Sequence, residues 1–91
     1  MPSVFVTHGG GPMPVMGRQP DIVKDMKSIV AKLPRKPTSI LVVTAHWETN
    51  KQNTFEVSSG ETHPLLFDYG GFPPETYKYQ YNAKGNPALA Q

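Results

Sequence analysis

Two short stretches of this chain are almost uninterruptedly apolar: Val4-Phe5-Val6-Thr7 and Ile40-Leu41-Val42-Val43-Thr44-Ala45. Both are rich in β-branched residues, and a run without polar alternation suits a strand covered on both faces, as in a parallel sheet. Between them Ile22, Met26, Ile29, Val30 and Leu33 recur at helical spacing, with Lys24, Lys27 and Lys32 on the wet side. Pro20 fits a first helical position, Asp21 favours the positive end of the helix dipole, and Pro34 with Pro37 stops the helix. The pattern predicts one βαβ unit. Because such crossovers are right-handed, its two strands run parallel and their C-terminal ends share one edge of the sheet.

Two further segments alternate. Asn53-Thr54-Phe55-Glu56-Val57-Ser58 places Phe55 and Val57 on one face, and Tyr77-Lys78-Tyr79-Gln80-Tyr81 places three tyrosines on one face; both are expected to be strands. The tyrosine stripe reads first as a packed sheet face. A substrate-stacking or nucleic-acid surface is the other reading, but single-strand binders set such aromatics in strongly basic grooves. Proline and glycine gather in two loops, between Gly9 and Gln19 and between Ser58 and Glu75. Near the end, Asn86 is a good N-cap and Pro87 a good first helical residue, followed by Ala88-Leu89-Ala90-Gln91. A helix that short does not hold itself together, since nucleation costs more than its first hydrogen bonds return. The 91 residues are therefore expected to be one truncated part of a domain rather than a finished one.

Composition narrows the function classes. Ten prolines and eight glycines against 37% hydrophobic and 18% charged residues describe a loop-rich chain with room for one modest core. The formal net charge is only +2, and Lys32, Arg35 and Lys36 are explained by a helix C-terminus, so no nucleic-acid partner is expected. No apolar stretch reaches the length of a signal peptide core or a membrane span, so no membrane partner is expected either. Cysteine is absent, which removes disulfides and thiolate chemistry and fits a cytoplasmic location.

Candidate chemistry lies at the ends of the two apolar runs. His8 opens His8-Gly9-Gly10-Gly11-Pro12, and His46 stands in Ala45-His46-Trp47. Open α/β sheets bind their ligands beyond the carboxyl ends of parallel strands. Adjacent strands are about 4.8 Å apart, so imidazoles from two such ends can reach one ion, at about 2.0–2.1 Å from each nitrogen. Taken singly, either histidine reads more readily as a hydrogen-bonded structural residue. Their matched positions, with Gly9 and Gly10 allowing close approach of backbone to a ligand, favour a shared metal. A nucleotide loop is a poor reading of the glycines, because the third glycine of a dinucleotide fingerprint is missing, Pro14 intrudes and no Gly-Lys-Ser/Thr follows.

Val6-Thr7-His8-Gly9-Gly10-Gly11-Pro12, Val42-Val43-Thr44-Ala45-His46-Trp47-Glu48, Phe67-Asp68-Tyr69-Gly70-Gly71-Phe72-Pro73-Pro74 and Tyr81-Asn82-Ala83-Lys84-Gly85-Asn86-Pro87-Ala88-Leu89-Ala90 together resemble the N-terminal part of the class III extradiol ring-cleavage dioxygenases, most of all the 4,5-DOPA dioxygenase-like branch. The resemblance covers nearly the whole chain. It implies an α/β fold with a three-layer parallel or mixed sheet flanked by helices, of which βαβ plus additional strands are present here. It also implies a non-haem Fe(II) enzyme, or a Zn(II) one, that opens a catechol ring with O₂. His8 and His46 would match two metal ligands; a further ligand and the catalytic histidine would come from a C-terminal portion, so the catalytic residue is unknown. Many relatives place a His-Asp pair before the Gly-Phe-Pro loop, whereas Phe67 precedes Asp68 here and His63 lies four positions earlier. No role is carried over to His63.

Beside the metal, Gly9, Gly10, Trp47, Tyr69 and Phe72 are the candidates for substrate contact. Phe72 or Tyr69 either walls an aromatic pocket or, for Phe72 the slightly favoured reading, plugs the core behind a proline-terminated turn. Trp47 is expected to pack beside the site and Glu48 to orient a ligand histidine as a hydrogen-bond acceptor, each with a purely structural role as the other reading. The competing view of the whole chain is a non-catalytic metal-binding or interaction α/β module with structural histidines. A sheet with uncovered faces also predicts marginal folding or assembly into homo-oligomers.

Overall fold

The computed structural model describes all 91 residues. Its one α-helix, α1, spans Pro20–Ala31. Proline stands at the start of α1 and Asp21 in its first turn, as the sequence predicts. At the other end the Lys32 N–H is shared between the Ser28 and Ile29 carbonyls, at 3.2 and 3.1 Å, and Leu33 N–H reaches the Val30 carbonyl at 3.2 Å. These shorter bonds tighten the last turn and close the helix before Pro34. Ile22, Ile29 and Leu33 are half-buried, while Met26 and Val30 of the expected apolar face are exposed.

The chain forms two compact units, Met1–Lys36 with Leu66–Tyr79, and Pro37–Leu65 with Gln80–Gln91. In the first, the loop ahead of α1 is a single helical turn. Met16 N–H bonds to the Pro12 carbonyl at 3.0 Å, Arg18 N–H to Met13 at 3.0 Å, and Gly17 N–H to Pro14 at 3.2 Å. With Gly17 at φ 77°, the last two bonds make the paired closure of a Schellman motif. The same unit holds a 3₁₀ helix, Pro74–Lys78, and a groove of about 340 Å³ where Phe5, Val6 and Thr7 face Asp25, Met26, Ser28, Ile29 and Lys32 of α1 and its end.

The second unit contains the only ladder, two residues on each side. β1 (Thr62–His63) pairs antiparallel with β2 (Ala83–Lys84), Thr62 opposite Lys84 and His63 opposite Ala83. Gly85 N–H extends the contact to the Glu61 carbonyl at 2.8 Å. The predicted cap forms: Leu89 N–H donates to Asn86 Oδ1 at 3.1 Å, Ala90 N–H reaches the Asn86 carbonyl at 3.2 Å, and Asn86 Nδ2 donates to Ser39 Oγ at 2.9 Å.

The four expected strands are corrected by the structure. Val4–Thr7, Ile40–Ala45 and Asn53–Ser58 enter no ladder, and their apolar side chains are exposed, Val43 to 92% and Phe55 to 104% of full accessibility. The βαβ unit is thus present as its helix and not as paired strands. A helix completes its hydrogen bonds within its own segment, whereas a strand needs a second segment in register beside it. Tyr77–Tyr81 fails for a different reason. Pro74 at the first turn, Glu75 after it and Lys78 at the end favour a helical turn, and Thr76 Oγ1 donates back to the Pro73 carbonyl at 2.7 Å. Thr76 is fully buried, and no large apolar side chain is. No helix is long and apolar enough to cross a membrane.

Candidate functional site

His8 lies in the first unit and His46 in the second. Both rings belong to exposed residues. His8 Nδ1 stands 2.9 Å from the Gly9 carbonyl oxygen. A carbonyl only accepts, so the ring proton in this bond sits on Nδ1. Metal-bound histidines are held in this way, with the non-ligating N–H donated to a carbonyl or carboxylate. His46 follows a short polar turn in which its own N–H reaches Thr44 Oγ1 at 3.2 Å.

Two of the three glycines after His8 are constrained, Gly9 by space and Gly11 by space and backbone together. A Cβ on Gly9 would collide with Gln19 Oε1 and the Pro14 ring. Gly11 has φ 50°, and a Cβ there would stand 2.8 Å from Phe72 Cε2 and 3.4 Å from the Tyr69 Cβ. The His8 loop therefore packs directly on the Phe67–Pro74 loop. Of the candidate residues, His8, Gly9, Gly10, Tyr69 and Phe72 are gathered within one unit; His46 and Trp47 belong to the other.

The second loop is held by its rings. Tyr69 meets Phe72 edge-on at 5.4 Å between centroids and Phe67 edge-on at 6.0 Å, and lies 5.1 Å from Tyr77. Such edge-to-face pairs are favoured by the ring quadrupoles. Tyr69 OH donates to the Thr76 carbonyl at 2.5 Å, and Tyr77 OH donates to the Tyr69 carbonyl at 3.2 Å. Phe72, half-buried against Gly11 and Tyr69, holds two loops together in this arrangement, and Tyr69 spends its hydroxyl on the backbone. Trp47 is half exposed, at 51%.

The donor chemistry suits a divalent ion in kind, since neutral imidazole is a common ligand. It does not suit one in number, because no group of three or more His, Cys, Asp or Glu side chains able to hold a metal is gathered. His63, half-buried in β1, lies beside Gly85, its Nε2 3.0 Å from where a Cβ on Gly85 would be.

One residue of the site escaped the sequence reading. Gln19 Oε1 accepts the Gly10 N–H at 2.9 Å. The available signal was its position: glutamine is not among the favoured N-cap residues, yet it occupies that place ahead of Pro20, and it makes no side-chain cap bond to its own helix.

Residues 1–91 match the family described as the catalytic LigB subunit of aromatic ring-opening dioxygenase. Among curated proteins, the chain is 41% identical over 91 residues to the 4,5-DOPA dioxygenase extradiol of Escherichia coli (strain K12), covering 100% of this chain and 31% of that protein. It is 36% identical over 87 residues to the protein of the same name from Beta vulgaris, covering 94% of this chain and 31% of the relative. Dioxygenase tasH of Hapsidospora irregularis is 37% identical over 99 residues, 98% of this chain and 29% of the relative. The chain thus spans about three-tenths of the length of these relatives. No solved structure matches it significantly.

Proposed function

We propose, because the chain belongs to the family of the catalytic LigB subunit of aromatic ring-opening dioxygenase, that it contributes the N-terminal part of an enzyme that opens a catecholic ring next to its two hydroxyls with O₂. Two of the relatives carry the name 4,5-DOPA dioxygenase extradiol, which supports DOPA or a similar catechol as substrate. In this reading His8 and His46 are two ligands of a non-haem Fe(II), or of Zn(II), and the rest of the ligand set lies outside these 91 residues. Such an ion, held by neutral imidazoles with positions left open, would supply a common binding place for a catecholate and O₂.

The observation that carries the reading is the family match over residues 1–91 together with His8 held by its Nδ1 on the Gly9 carbonyl. What would bring His46 to the same ion is the sequence pattern, in which each histidine closes an apolar run. We assign Val4–Thr7 and Ile40–Ala45 to parallel strands of a three-layer sheet in the whole protein, where both faces of these runs would be covered. Gly10 would let the ring of the substrate approach, whereas Gly9 is closed off by Gln19 and Pro14; Tyr69, Phe72 and Trp47 would be aromatic neighbours. A cytoplasmic location, supported by a cysteine-free composition, and assembly into homo-oligomers belong to the same proposal.

The test is anaerobic titration of the 91-residue chain with Fe(II), beside His8→Ala and His46→Ala, followed by O₂ and a panel of catechols. Stoichiometric binding lost in both variants is expected, without turnover unless the ligand set is completed by assembly. Binding unaffected by either substitution would overturn the assignment of the two histidines.

A further inference from the structure

The geometry points to Gln19 as a positioning residue that fixes the tautomer and orientation of His8 through a single peptide group; its bearing on metal binding rests on the function proposed above. The Gly10 N–H donates to Gln19 Oε1 at 2.9 Å, and the Gly9 carbonyl accepts from His8 Nδ1 at 2.9 Å. This N–H and this C=O belong to the same peptide, between Gly9 and Gly10, and lie in its plane pointing in opposite directions. The plane cannot rotate to break one bond without disturbing the other. Each bond also polarises the peptide in favour of its partner, as in any chain of hydrogen bonds. A neutral ring that donates through Nδ1 leaves Nε2 as the lone-pair nitrogen.

Three features hold the clasp in place. The Schellman closure at Gly17 turns the chain back, so that Gln19 returns to Gly10 nine positions on. Pro20 begins α1 directly afterwards, and the Gln19 carbonyl accepts from Val23 N–H at 3.4 Å, which anchors its backbone to the first turn. Gly9 leaves no gap beside the clasp, since a Cβ there would collide with Gln19 Oε1 and Pro14. Helix α1, the turn and the ligand candidate are thereby one mechanical unit.

The test reads the imidazole nitrogens of the metal-free chain by long-range ¹H–¹⁵N correlation at alkaline pH, for the natural chain, Gln19→Met and Gln19→Glu. Methionine has similar length and no comparable acceptor; glutamate keeps one. His8 is expected to be Nδ1-protonated in the natural chain and in Gln19→Glu, and to shift toward the Nε2-protonated form in Gln19→Met, with the His46 signals unmoved. Co(II) affinity is expected to fall about 10–100-fold in Gln19→Met, the usual cost of losing a group that orients a ligand histidine, and to be restored in Gln19→Glu. An unchanged His8 tautomer in Gln19→Met overturns the proposal. A shifted tautomer with unchanged Co(II) affinity upholds the clasp and overturns instead the role of His8 as a ligand. If Gln19→Met loses the circular dichroism of α1, hydrogen exchange of the Gly10 amide in the natural chain decides: protection supports the clasp, and exchange at the rate of an unstructured peptide overturns it.

Discussion

The regions richest in glycine and proline are the best tied, and the most hydrophobic ones are the least. Residues 9–19 and 67–75 fall in the two loops expected from composition, yet with the rest of the 3₁₀ helix to Lys78 they contain the fully buried Thr76, four packed rings and a doubly bonded turn. Residues 4–7 and 40–45 carry the strongest strand signal, yet they pair with nothing in a ladder and expose Phe5 to 93% and Leu41 to 76%. The difference is where each segment finds its partners. The loops satisfy their donors at sequence separations of three to nine residues, as in Thr76 to Pro73 and Gly10 to Gln19. A strand buried on both faces draws its hydrogen bonds and its cover from other segments. Hydrophobic pattern therefore states what a segment needs, and only the rest of the protein can supply it.

The largest effect on this contrast is expected from Gly11→Val. It forces a branched side chain into φ 50° and against Phe72, a combined cost of about 2–4 kcal/mol. The near-ultraviolet circular dichroism of the ring cluster should collapse; its survival would show that the two loops are not interdependent. Tyr69→Phe is next. It removes the donor to the Thr76 carbonyl beneath the cluster and is expected to cost about 1–2 kcal/mol in urea unfolding, with little change in packing.

A smaller loss tests the terminal cap. Asn86→Ala deletes both the acceptor for Leu89 N–H and the donor to Ser39, and about 0.5–1 kcal/mol is expected because the turn it caps is short. Hydrogen exchange at Leu89 reads it directly. The smallest effect is Val42→Lys. Val42 is 70% exposed, so in the 91-residue chain the unfolding free energy should move by no more than about 0.5 kcal/mol while self-association declines. The same substitution in a longer protein that covers this segment should be disruptive, since it buries an unpaired charge. Equal effects in the two would break the comparison.

The parts of the fold legible in the sequence are those whose signals and bonds are both local. Pro20, Asp21 and the spacing of Ile22, Ile29 and Leu33 announce α1, and Asn86-Pro87 announces the capped turn, because caps and helical bonds connect neighbours. The 3₁₀ helix was hidden by competition: Pro74, Glu75 and Lys78 favoured a turn, but the alternation of Tyr77, Tyr79 and Tyr81 imitated a strand. The ladder of Thr62–His63 with Ala83–Lys84 is too short to impose a period on either segment. Of the candidate site, the motif around His8 and the residue Phe72 stood out in the sequence, while the packing of Phe72 on Gly11 and the link through Gln19 did not. A side chain reaching back to a peptide nine residues earlier leaves no periodic mark.

The central claim is that His8 and His46 serve one ion. Calorimetric titration with Zn(II) of the natural chain, His8→Ala, His46→Ala and the double variant tests it most directly. One shared ion predicts a single equivalent, with each single variant losing as much affinity as the double variant. Losses that add, or a chain that keeps its affinity when either histidine is removed, would contradict it.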